Sequence, residues 1–332
     1  MNFMMHMADG LISIPVGVIF YVVIGFLIAY AIKKCNTANL SHKVALMGVM
    51  GAFVFAGQMI NFTIPGTGSS GHILGSIMLA MVLGQYPAFL SIVAVLVIQA
   101  LLFGDGGLLA LGCNIFNMGV LPLFVAYPLI VKPILNKFGT NAKTITVSSI
   151  LSCVVGIELG ALAVSLQTLA SHITALPFTT FIVLMLPIHV VIGLVEGLIT
   201  SAVVGFVYKY SPAIIEDALY MTNAVESKKA SLIIGLSALV IAGGLSLFAS
   251  SHPDGLEWSI ASITGSTEIE EKNTTKKEIA KVQEQTSLLP DYAFKNNDSP
   301  LSGASAGIIG AGVVLVVAGG AGYMLSKKHR HE

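Results

Sequence analysis

The chain has 332 residues, of which 55% are hydrophobic and only 10% charged, with a mean hydropathy of +0.85. A soluble domain is about one-quarter charged, so the composition is that of an integral membrane protein, and the fold class it implies is all-α and polytopic. The net charge of zero names no nucleic-acid or acidic partner. Cys35, Cys113 and Cys153 lie far apart, two of them in apolar runs, which argues against a disulfide framework or a zinc set.

In chain order, the opening MNFMMHMADG lacks a basic n-region and does not read as a cleaved signal peptide. A helix needs about 20 apolar residues to cross the hydrocarbon layer. Runs of that kind fall near 14–32, 44–61, 72–84, 87–103, 111–131, 144–170, 180–208, 231–249 and 304–325, about nine in all. The third is short, and 72–103 also reads as one long broken helix. With nine crossings, Lys33, Lys34 and Lys43, then Lys132, Lys137 and Lys143, then Lys209, Lys228 and Lys229, then Lys327, Lys328 and Arg330 all fall on one side. These are 12 of the 17 basic residues, so that side is predicted to be the cytoplasm and the N-terminus to be outside. The other five lie in the long polar segment 250–303 on the opposite face, and long loops translocate largely regardless of charge.

Composition shifts after Glu226. The expected organisation is a larger unit over 1–225, about seven spans, and a two-span companion over 226–332 whose outer loop is 250–303. Residues 211–230 form a cytoplasmic linker between them.

Between the second and third spans stands GTGSSGH, Gly66 to His72. Its glycine spacing is that of a phosphate loop, but His72 and Ile73 stand where lysine and Ser/Thr are required. The loop also follows a membrane span and faces outward, so nucleotide binding is excluded. What remains is a mobile glycine turn or a site of another kind. The same outer face carries Met5-His6. If Met5 is the true start, its amine, the deprotonated His6 amide and the His6 imidazole can close fused chelate rings on one metal. His72 then supplies a fourth nitrogen, a square-planar set that suits Ni(II) or Cu(II) better than zinc. The numbered chain starts four residues earlier, and with MNFM attached the chelate is lost. An interfacial histidine near the membrane surface is the alternative reading of His6.

MHMADGLIS, NFTIPGTGSSGHILG (61–75), QALLFGDGGLLALGCNIFNMGV (99–120) and IHVVIGLVEGLIT (188–200) together resemble the CbiM/NikM family. These are the membrane substrate-binding components of energy-coupling-factor transporters for cobalt and nickel. The resemblance implies metal ligands at Met5, His6 and His72, transported Ni(II) or Co(II) with no permanently bound cofactor, and a prokaryotic plasma-membrane location. It implies a membrane coupling subunit (Q/T-type) and cytoplasmic ATPase subunits (O/A-type) as partners, beside membrane lipid. SSHPDGLEWSI (250–260) and LLPDYAF (288–294) resemble the small companion subunit CbiN/NikN, here fused and expected to assist metal loading or transport.

Other polar residues are weighed against packing. Glu158 and Glu196 lie inside apolar spans, where acids are costly, and are expected to be protonated or hydrogen-bonded. His189, seven residues before Glu196, shares its helix face; a transit site there is the weaker reading. Asp105 in FGDGG, with Asn114 and Asn117, is expected to support the metal loop, and Asp9 to pin the N-terminal segment. Asp254 and Glu257, near His252, either attract a cation or dock on the larger unit. The function expected is capture of Ni(II) or Co(II) outside and import by ATP-driven partners, with no covalent chemistry in this chain. An ion-coupled secondary carrier is the rival; the chain shows no convincing internal repeat and few buried ionisable groups. A metalloprotease finds no H-E-x-x-H.

Overall fold

The structure is a computed structural model that describes residues 6–35, 40, 43–220, 228–267, 269, 273–295 and 299–328. Met5 lies outside the described residues. Among the described residues, six helices are long and apolar enough to cross a membrane: α1 (Ile14–Cys35), α4 (Gln85–Phe103), α5 (Leu111–Phe138), α6 (Ala142–Ser171), α7 (Phe178–Tyr210) and α12 (Leu301–Lys327). Two shorter apolar helices are α2 (Val44–Gln58) and α9 (Lys228–Gly243). The remaining helices are α3 (Ser76–Leu83), α8 (Pro212–Tyr220), α10 (Gly255–Thr264) and α11 (Thr274–Thr286). The chain is an all-α, polytopic membrane protein.

The expected third span shrinks to the eight residues of α3, preceded by the extended segment 72–75. Gly75 (φ +76°) and Gly84 (φ +84°) bound it, and every one of its residues is buried. α3 is thus an internal helix about 12 Å long, wrapped by neighbours. α6 lies along α7, while α9 and α12 both pack on α2. The backbones of α12 and α2 approach closely at Gly48 and Gly319, the small-residue packing that membrane helices favour. α1, by contrast, presents Val18, Ile19, Val22 and Phe26 outward.

The molecule has two polar ends. At one, Lys43 ion-pairs with Asp217 of α8 at 2.8 Å and donates to the Leu83 carbonyl at 3.1 Å, and Lys132 reaches Gln85. At the other lie the N-terminal segment, the 104–110 turn, α10, α11 and a hairpin of β1 (Phe62–Ile64) and β2 (Ser69–Gly71). The hairpin is antiparallel, with Phe62 opposite Gly71 and Ile64 opposite Ser69.

Candidate metal centre

The GTGSSGH stretch folds into a defined hairpin. Gly66 (φ +79°) and Gly68 (φ +74°) occupy left-handed positions of its turn, where a side chain is costly, and Thr67 bonds the Ile64 carbonyl through Oγ1 at 2.9 Å. The glycines therefore allow the left-handed turn that the hairpin needs. β2 carries straight into His72, which is buried.

His6 is brought to the same place by the segment after it. The Met7 N–H donates to Asn114 Oδ1 at 3.1 Å, and the Met7 carbonyl accepts from Asn114 Nδ2 at 3.1 Å and from the Gly107 N–H at 3.0 Å. Asp9 Oδ1 accepts from the Ala110 N–H at 2.9 Å, and Lys276 Nζ donates to the Asp9 carbonyl at 3.1 Å. Asp9 pins the N-terminal segment, as expected, and Asn114, expected to support the loop of His72, holds that same segment through Met7. FGDGG explains itself here: a Cβ on Gly107 would stand 1.8 Å from Asp9 Oδ1, and one on Gly106 would stand 2.8 Å from the His6 Cβ.

The His6 and His72 rings lie with centroids 5.7 Å apart, nearly perpendicular at 82°. His6 Nδ1 is 3.2 Å from Asp105 Oδ2, which also accepts the Tyr292 hydroxyl at 2.5 Å. His6 Nε2 and His72 Nδ1 are buried without a hydrogen-bond partner. Burying polar nitrogens unpaired is costly, so these two atoms mark the place as one built to receive something. A cavity of about 70 Å³ opens beside them, bordered by His189, Met185, Asn117 and Asp254. His189 thus belongs to the cavity wall, with Nδ1 against the Met185 carbonyl at 2.7 Å. Its seven-residue spacing to Glu196 points to a helix face without saying what that face meets. Asn117 turns instead to Gln167, in a reciprocal amide pair at 2.8 Å.

Burial, reinforced by His6, pushes the His72 pKa down to about 3, against the opposing pull of Asp105. The ring is therefore neutral at pH 7, as a metal ligand must be. Burial also raises Asp105, but the charge and hydrogen bond of His6, with the Tyr292 hydrogen bond, outweigh it and leave Asp105 below its ordinary value. Asp254 is pushed well above the carboxylate range by burial and by Glu257. Its Oδ2 stands 3.8 Å from His72 Nδ1, beyond hydrogen-bond reach, while Oδ1 caps α10 through the Leu256 and Glu257 N–H groups at 3.0 and 2.9 Å. Among the described residues, no three His, Cys, Asp or Glu side chains converge on one metal position.

The 250–303 segment closes over this end. The Ser70 N–H donates to the Pro253 carbonyl at 2.8 Å, and Ser70 Oγ to the His252 carbonyl at 2.8 Å. Gln283 Nε2 bridges the Ala100 and Gly106 carbonyls at 2.9 and 2.8 Å. Deeper in, Glu196 of α7 accepts the Leu74 and Gly75 N–H groups at 2.7 and 2.9 Å, as a hydrogen-bonded buried acid should. Glu158 Oε1 is buried without a partner.

The profile of the cobalt uptake substrate-specific transmembrane region, CbiM, matches residues 6–214. The chain belongs to the CbiM family. A PDGLE domain follows over residues 228–327. This CbiM chain is 29% identical over 313 residues to a relative in Archaeoglobus fulgidus named as a proposed fused nickel transport protein, NikMN, covering 94% of this chain and 96% of that one. It is 30% identical over 214 residues to the cobalt transport protein CbiM of Lachnoclostridium phytofermentans, covering 63% of this chain and 79% of that one. A crystal structure of a truncated transition metal transporter superposes with a TM-score of 0.54 at 33% identity, covering 62% of this chain and 99% of that one. The family and the apolar helices together make this a multi-pass membrane protein of prokaryotic type.

Proposed function

We propose that the chain captures Ni(II) or Co(II) at the outer membrane face as the substrate-binding component of an ATP-driven importer. The metal is cargo. Its ligands are the Met5 amine, the amide nitrogen and imidazole of His6, and the imidazole of His72. The observation that carries this reading is the pair of buried imidazoles brought together beside a small cavity, with His72 Nδ1 left without a partner. Among the described residues no three His, Cys, Asp or Glu side chains converge on one position, so a four-coordinate ion needs further donors. Backbone nitrogens at a chain start supply them, and nitrogen-rich planar sets suit Ni(II). Closing the chelate on His6 uses Nδ1, so metal capture draws that atom away from Asp105.

Residues 1–225 form the metal-binding unit and 226–332 the companion, whose outer segment covers the site. With the imidazole end outside, the Lys43–Asp217 end faces the cytoplasm, where a membrane coupling subunit and ATPase subunits engage it. Names carried by relatives support both nickel and cobalt as cargo.

The test is titration with Ni(II) of the purified protein whose chain begins at Met5. His6→Ala and His72→Ala are each expected to abolish tight binding. Unchanged affinity in either removes that residue from the ligand set.

A further inference from the structure

His72 sits between two anchor points. Two residues before it, the Ser70 backbone is tied to Pro253. Two residues after it, both polar groups of the Leu74 backbone are held by side chains from different helices. The Leu74 carbonyl accepts Gln58 Nε2 of α2 at 2.8 Å, and the Leu74 N–H goes to Glu196 Oε2 of α7 at 2.7 Å. Glu196 Oε1 takes the next N–H, that of Gly75, at 2.9 Å. Gly75 is the residue that enters α3, and it brings no side-chain cap of its own.

A carboxylate here does what an amide cannot. Two adjacent backbone donors converge on one side chain, and only a carboxylate offers an oxygen to each. Glu196 is also almost wholly buried, and the N-terminal end of α3 presents a positive partial charge to it. The Cys153 thiol also faces it, with Sγ 3.9 Å from Oε1. An acid deep in a membrane helix is costly and is retained where it has work to do. Its work here is to fix the backbone two and three residues beyond a metal-binding imidazole.

We infer that Glu196 is a positioning residue for the metal site: it sets the backbone from which His72 reaches the ion, without touching the ion. This rests on the reading of His72 as a ligand. Groups that orient a ligand typically carry 10–100-fold in metal affinity.

The experiment is Ni(II) titration of the detergent-solubilised protein whose chain begins at Met5, read by affinity and by the absorption spectrum at saturation. Glu196→Gln keeps size and shape but turns an N–H donor toward a backbone N–H. It is expected to weaken Ni(II) binding by about 10–100-fold while its saturated spectrum matches wild type, because the ligand set is intact. His72→Ala loses tight binding and its spectrum changes. Glu158→Gln, an acid on the neighbouring α6 with no backbone donors, retains wild-type affinity. Should Glu196→Gln fail to fold, Glu196→Asp keeps the carboxyl group but is too short to accept both N–H groups, and an affinity loss is again expected. Wild-type affinity in a folded Glu196 variant, with His72→Ala still defective, overturns the positioning role alone. Wild-type affinity in His72→Ala overturns the site reading beneath it. An equal loss in Glu158→Gln also overturns the inference, since any buried acid would then serve.

Discussion

At His72, burial and chemistry act together. The folded chain keeps the ring neutral down to about pH 3, whereas an exposed imidazole titrates near 6.5. The unfolded chain therefore binds a proton that the folded chain refuses. The resulting stability is present in full above about pH 6.5 and declines as pH falls toward 3. Thermal unfolding of metal-free protein should show a shallower acid decline in His72→Leu than in wild type; equal slopes would remove His72 as the cause. Gly107 offers a steric test. With Asp9 Oδ1 already where a Cβ would be, Gly107→Ala must displace the N-terminal segment, and Ni(II) affinity should fall at least about tenfold. Glycines, His6 and His72 were legible in the sequence because local patterns carried them. The pairing of Asp105 with Tyr292 was not, because it joins residues 187 apart in the chain and no local spacing encodes it.

At the scale of elements, α3 links the two ends of the molecule. Its start is held by Glu196 and its last carbonyl by Lys43, which in turn pairs with Asp217. Both partners of that pair are buried, so removing Asp217 takes away the counter-charge that Lys43 meets at 2.8 Å. Asp217→Ala should cost about 3–5 kcal/mol, and Lys43→Ala/Asp217→Ala should recover part of it. Calorimetric or thermal-shift measurements check this; a near-neutral single variant would show that solvent reaches the pair. The long helices were readable from uninterrupted apolar runs. The short third span and the break after it were readable too, but the start of α3 was not, because left-handed Gly75 makes 72–75 an extended entrance while leaving the hydropathy of the stretch unchanged. The hairpin escaped for a related reason: TIPGTGSS has the turn residues of a loop, and its three-residue strands are too short for alternation to show.

For the whole molecule, the distribution of lysines predicts which end faces the cytoplasm. The three cysteines are buried, so introduced thiols report with little background. Lys277→Cys, exposed at the imidazole end, should react with a membrane-impermeant reagent on intact cells. Lys143→Cys, exposed at the opposite end, should react only after permeabilisation. The reverse pattern would invert the topology. Composition alone was enough for the membrane class. How the 250–303 segment lies over the site was beyond it, since that packing runs through backbone carbonyls at Pro253, Ala100 and Gly106, which carry no residue-type signal.

The central claim is that a free amine at Met5 completes a nitrogen site with His6 and His72. Intact-mass determination of the Ni(II)-loaded protein tests it most directly. The account predicts a metal-bound species whose chain begins at Met5, with tight binding confined to that species. Tight, stoichiometric Ni(II) binding by a chain that still carries Met1-Asn2-Phe3-Met4 would contradict it.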